Sequence, residues 1–87
     1  MDREEALGLL KAKLNEYLQM PYAELASTIG TNQVVEVGGP SGAEYQIEIQ
    51  VMWDHKPNGD IRVMGAIDDG GLRAFMPLSS DLIVKPD

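Results

Sequence analysis

The chain has 87 residues, 14 acidic against 7 basic side chains, a net charge of −7 and no cysteine. That length suits one small α+β domain over residues 1–87 and buries only about 60 to 65% of the unfolded surface, so stability is modest unless copies associate. The charge argues against nucleic acid, whose affinity rests on Lys and Arg neutralising phosphates, and the missing cysteines exclude disulfides, thiol catalysis and Cys-ligated zinc.

In chain order, Asp2 and Glu5 have the spacing of a capping box, with a carboxylate in place of the usual hydroxyl. Leu7, Leu10, Leu14, Tyr17 and Leu18 recur at helical spacing, widened by Ala6 and Leu9. The pattern predicts an amphipathic helix over Asp2–Gln19, roughly 27 Å long at 1.5 Å per residue. Pro21 suits the first turn of a short second helix, Pro21–Ile29, which Gly30 stops.

Gln33–Val37 is β-branched and leads into Gly38, Gly39, Pro40, Ser41 and Gly42, a loop composition. A five-residue loop pairs Val37 with Ala43 and Val35 with Tyr45; an even loop would turn Val35 and Val37 outward. Next, Tyr45, Ile47, Ile49, Val51 and Trp53 alternate with Gln46, Glu48, Gln50, Met52 and Asp54, the period of a strand with one buried face. Ile61, Val63, Gly65 and Ile67 repeat it, and a loop over residues 55–59 sets Trp53 opposite Ile61 and Ile47 opposite Ile67. Asp69-Gly70 is a strong hairpin signal. It predicts a fourth strand with Ile67 opposite Leu72, Gly65 opposite Ala74, Val63 opposite Met76 and Ile61 opposite Leu78. The expected fold is therefore ααββββ: an N-terminal helix and a short second helix packed on one face of a four-stranded antiparallel meander.

No apolar run approaches the roughly 18 to 20 residues that span a bilayer, and the charged start is unlike a signal peptide, so a cytoplasmic protein without membrane contact is expected.

Chemistry is sparse. His55 is the single histidine, beside Asp54 and near Asp60, and a solvated turn histidine is its ordinary reading. Asp54, Asn58, Gly59 and Asp60 outline a calcium loop, but Lys56 and Gly65 stand where ligands belong. Gly38, Gly39 and Gly42 are followed by neither the Lys-Ser/Thr nor the helix of a phosphate loop. Ser41, Ser79 and Ser80 have no evident base. No catalytic, metal or cofactor residue is assigned.

The outer sheet face is the exception. The expected register gathers Met52, Met64 and Phe75 at its centre, with Gln50, Arg62 and Arg73 around them, an apolar middle with a polar rim. This predicts a non-catalytic module that self-associates, most simply as a dimer, through that face or an edge strand, or that binds another protein. Leu82, Ile83 and Val84 are an alternative cover for the patch, or an added edge strand. Two other functions fit less of the chain. Small size and negative charge suit an acidic inhibitor or immunity-type protein for a basic partner. Tyr17, Tyr22, Tyr45 and Trp53 could line a small-molecule cleft between helix and sheet.

The stretch from Trp53 through Asp68, Asp69, Gly70 and Gly71 to Phe75, Met76 and Pro77 resembles small bacterial proteins of unknown function built from an N-terminal helix and a short β-meander. The resemblance implies that architecture. It carries no activity and no site residues.

Overall fold

The computed structural model describes residues 2–70 and 78–86. Helix α1 (Arg3–Leu18) begins at Asp2, whose carboxylate accepts the Glu5 N–H at 3.1 Å. The capping box is only half made, because the Glu5 side chain reaches across to the sheet instead of back to its own first turn. Ala6, Leu10, Leu14 and Tyr17 are the buried stripe. Leu7 and Leu18 lie one residue, about 100° of helix, off that line. Leu7 is accordingly half-buried and Leu18 is exposed.

Helix α2 (Tyr22–Ala26) is shorter than the pattern suggests, with Pro21 as its cap rather than its first residue. The Ser27 and Thr28 hydroxyls donate to the Glu24 and Leu25 carbonyls at 2.5 and 2.7 Å, closing the helix into single turns as far as Gly30. Gly30 has φ +88°, and its N–H donates to the Val51 carbonyl at 2.9 Å, joining this turn to the sheet.

Four strands, β1 (Asn32–Gly38), β2 (Glu44–Trp53), β3 (Ile61–Asp68) and β4 (Leu78–Val84), form an antiparallel meander in the order β1-β2-β3-β4. The α+β arrangement expected from the sequence is the one observed. Between β2 and β3 the expected register holds to the residue, from Trp53 opposite Ile61 to Ile47 opposite Ile67. Its loop turns on Lys56-Pro57-Asn58-Gly59, where the Gly59 N–H donates to the Lys56 carbonyl at 3.1 Å and Asn58 takes φ 68°. Pro followed by a left-handed Asn is the chemistry of a type II turn.

Two registers differ. Val37 faces Tyr45 rather than Ala43, and Val35 faces Ile47. The Gly42 N–H donates to the Gly39 carbonyl at 3.0 Å and the Gly39 N–H to the Ala43 carbonyl at 2.8 Å, so pairing runs deeper into the loop. Gly42, at φ +90°, supplies the left-handed residue of a three-residue hairpin turn. The slip is two residues, so every side chain keeps its face.

The larger correction concerns β4. Leu78 lies opposite Ile67, Leu82 opposite Val63 and Val84 opposite Ile61, so the fourth strand is built six residues later than the Asp69-Gly70 signal suggests. That signal does produce a turn: the Gly70 N–H donates to the Asp68 carboxylate at 2.8 Å with Gly70 at φ +80°. The segment that pairs with β3 is Leu78–Val84. The expected strand would have placed Pro77, which has no N–H, inside the ladder; the observed strand starts just after it. The proposed partners Leu72, Ala74 and Met76 lie outside the described residues.

Helix α1 lies over β3 and β4. It can approach closely because Gly65 has no side chain: a Cβ there would stand 2.8 Å from Leu10 Cδ1 and 3.2 Å from Leu14 Cδ2. Leu10, Leu25, Ile47, Ile49, Ile61, Val63 and Ile67 are the largest fully buried side chains of the core. Among the described residues no helix is long and apolar enough to cross a membrane.

Candidate interaction surface

The face of the sheet turned away from α1 is made by the residues between the core positions. Across it, Asn32, Gln50, Met64 and Asp81 share one row, and Met52, Arg62 and Ile83 the next. Val34, Glu48, Ala66 and Ser79 form a third. The structure thus brings together four of the expected surface residues, Gln50, Met52, Arg62 and Met64. Arg73 and Phe75 lie outside the described residues. The neighbours assigned to them are other residues: Asp81 stands opposite Met64, Ile83 opposite Arg62 and Ser79 opposite Ala66.

Asp81 and Ile83 are thus further surface residues; of the two places open to Leu82, Ile83 and Val84, the structure shows the edge strand, with Ile83 on its outer face. A signal for them existed, since Leu78, Leu82 and Val84 alternate with Ser79, Asp81 and Ile83. Ser80 on the core side weakened it.

Arg62 is braced rather than free. Its Nε and Nη2 donate to Asp54 Oδ1, each at 2.8 Å, and its Nη1 meets the Asp81 carboxylate. The hydrogen bond to Asp54 and then the charge of Asp54 hold the guanidinium still more firmly protonated than usual. The bracing ties the end of β2 to β4 across β3. Asp54 also meets His55 Nε2 at 3.3 Å, but the imidazole is 86% exposed.

Around this brace, Met64 and Ile83 are 40% and 37% exposed, and Val34 reaches 52%. Glu36, Glu48, Asp68 and Asp81 stand on the same face. Asn32 Nδ2 donates to Glu48 Oε2 at 2.9 Å. A shallow depression beside Met64 is lined by Glu48, Gln50, Ala66 and Ser79. The surface is apolar at the centre and acidic at the margin, with Arg62 the cation of its strands among the described residues.

The aromatic cleft has a different outcome. Tyr45 and Trp53 share the core face of β2 but stand eight residues apart, about 27 Å along a strand. Tyr17 donates to Gln33 Oε1 at 2.5 Å, Tyr22 to the Gly59 carbonyl at 2.7 Å and Tyr45 to Glu5 Oε1 at 2.8 Å. Trp53 packs against the core. The structure therefore sets Tyr45 at the far end of β2 from Trp53 and commits each tyrosine hydroxyl internally. The groove that reaches Tyr17 is lined by Met20, Thr28, Thr31, Asn32 and Gln33 and by none of the other three.

Tyr45 belongs to the fastening at the N-terminal end of α1. Glu5 accepts from the Ser41 N–H at 3.0 Å, the Ser41 hydroxyl at 2.8 Å and Tyr45. These bonds, that from the Ser41 hydroxyl first, hold the Glu5 carboxyl below its usual range. The same carboxylate, chiefly through its hydrogen bond, pushes the Tyr45 phenol up to about 12. Gly39 makes room, since a Cβ there would fall 2.3 Å from Glu5 Oε1. This cluster docks the helix on the first hairpin.

No family model, no curated protein and no solved structure matches the chain.

Proposed function

We propose that this protein is a non-catalytic interaction module whose outer sheet face engages a protein partner presenting basic and apolar side chains together. The observation that carries this reading is the pattern around Arg62. Exposed Met64 and Ile83 sit inside an acidic margin, and the cation among them is already held by Asp54 and Asp81. An apolar centre supplies contact area, methionine adapts to the shape it meets, and the charged margin selects the partner. A basic active-site cleft is one surface of that kind. Stacking the face on a second copy is less favourable, because it lays one acidic margin on another.

Calorimetric titration with an amphipathic Lys/Leu peptide and its Glu/Leu counterpart tests the proposal. The basic peptide should bind, lose affinity as salt is raised, and cease to bind Met64→Lys. Equal binding of both peptides, or an unaffected Met64→Lys, would refute it.

A further inference from the structure

The sheet has two edges, and they differ. β4 carries Asp81 and is followed by Lys85 and Pro86, residues that commonly discourage strand addition. β1 has less of it: Glu36 matches Asp81 and Pro40 matches Pro86, but no lysine stands in or beside the strand. Its seven residues, Asn32–Gly38, include Val34, Val35 and Val37, hold Glu36 as the single charge, and contain neither Lys nor Pro.

The hydrogen bonding shows which backbone groups are open. Gly39 bonds inward to Ala43. In an antiparallel pair such inward bonding recurs at every second residue, so Val37, Val35 and Gln33 bond to β2. Asn32, Val34 and Glu36 therefore turn their N–H and C=O away from β2. Among the described residues no strand lies beyond them.

We infer that β1 pairs with β1 of a second copy, antiparallel and centred on Val34, joining two meanders into one continuous sheet. A two-fold axis at Val34 sets Val34 against its own copy and Asn32 against Glu36. Each of those residues then exchanges both backbone bonds with its partner. Val34, more than half exposed in one chain, becomes a contact between two valines. Asn32 already donates to Glu48 within the chain, and across the axis the same amide type meets a second carboxylate. Moving the axis to Glu36 would oppose two carboxylates. Moving it to Val35 would bring the two Glu36 side chains to diagonal positions. Of these three centres Val34 separates the charges furthest while keeping Asn32, Val34 and Glu36 all paired.

This inference uses the edge and not the face, so it stands or falls separately from the proposed function. Salt tells them apart. Two chains of charge −7 repel, so salt strengthens the dimer, whereas it weakens attraction to a basic partner.

Light scattering behind a sizing column, at several loading concentrations, should show the 9.5 kDa chain approaching twice its mass, at lower concentration in high salt. Val34→Pro removes only an outward N–H, which an edge strand tolerates, and should give a folded monomer. Cysteine trapping provides a readout independent of that variant's folding. The chain has no cysteine, and the Cα atoms of a hydrogen-bonded antiparallel pair stand about 5.5 Å apart, within reach of a disulfide. Val34→Cys should cross-link rapidly under mild oxidation, while Met64→Cys and Asp81→Cys should not. A wild-type monomer at every concentration and salt, or cross-linking no faster at position 34 than at 64 or 81, would overturn the inference.

Discussion

On the core face of the sheet polar chemistry is consumed: each tyrosine hydroxyl has an internal partner, and no buried side-chain nitrogen or oxygen among the described residues lacks a hydrogen bond. On the outer face Met64, Ile83 and Val34 stay open while the charges are arranged around them. The difference separates two tasks. Burial under α1 secures the fold, so the outer face is free to be specified by what it touches.

Substitutions should keep these tasks apart. Leu10 is fully buried against Gly65, and Leu10→Ala should cost about 2–5 kcal/mol in a denaturant melt while leaving the outer face of the folded fraction unchanged. Next in size is Gly39→Ala, whose methyl displaces the flexible end of Glu5 from Ser41 and Tyr45 and should lower the denaturation midpoint, but by less than Leu10→Ala.

A smaller effect follows from pH. Glu5 titrates lower in the folded chain than its ordinary 4.5, so its contribution is complete above that value and is lost as pH falls through the depressed pKa. Tyr45 titrates higher, so its contribution is complete below 10 and is lost as pH rises toward about 12. Glu5→Gln should remove the acid limb at this site and return Tyr45 toward its ordinary range, as followed by ultraviolet titration. A Tyr45 titration unchanged in Glu5→Gln would break the assignment.

The smallest change in stability belongs to Met64→Lys, within about 0.5 kcal/mol, although it should abolish peptide binding. A large loss of stability there would erase the distinction between the faces.

What was legible in the sequence was local. The β2–β3 register follows from two strands whose periods agree around one short loop, and Asp2 caps α1 because the cap needs only residues three apart. The fourth strand was hidden because two segments offered the same parity of apolar residues against β3. Asp69-Gly70 marks where the chain turns but says nothing of where it returns. Glu5 was read as serving its own helix end, whereas it serves Ser41 and Tyr45. On the surface, Met52, Met64 and Arg62 followed from β2 and β3 alone. Asp81 and the outward place of Ile83 depended on the β4 register, although an edge strand over Leu82, Ile83 and Val84 was among the expectations.

The seat of α1 on β3 and β4 also bears on biosynthesis. The ribosome delivers the helix first, yet the strands that cover Leu10 and Leu14 come after both hairpin turns. Throughout that interval the leucine stripe has no finished surface to rest on. Collapse therefore waits for contacts between distant parts of the chain, which slows folding and leaves the nascent helix dependent on whatever shields it meanwhile.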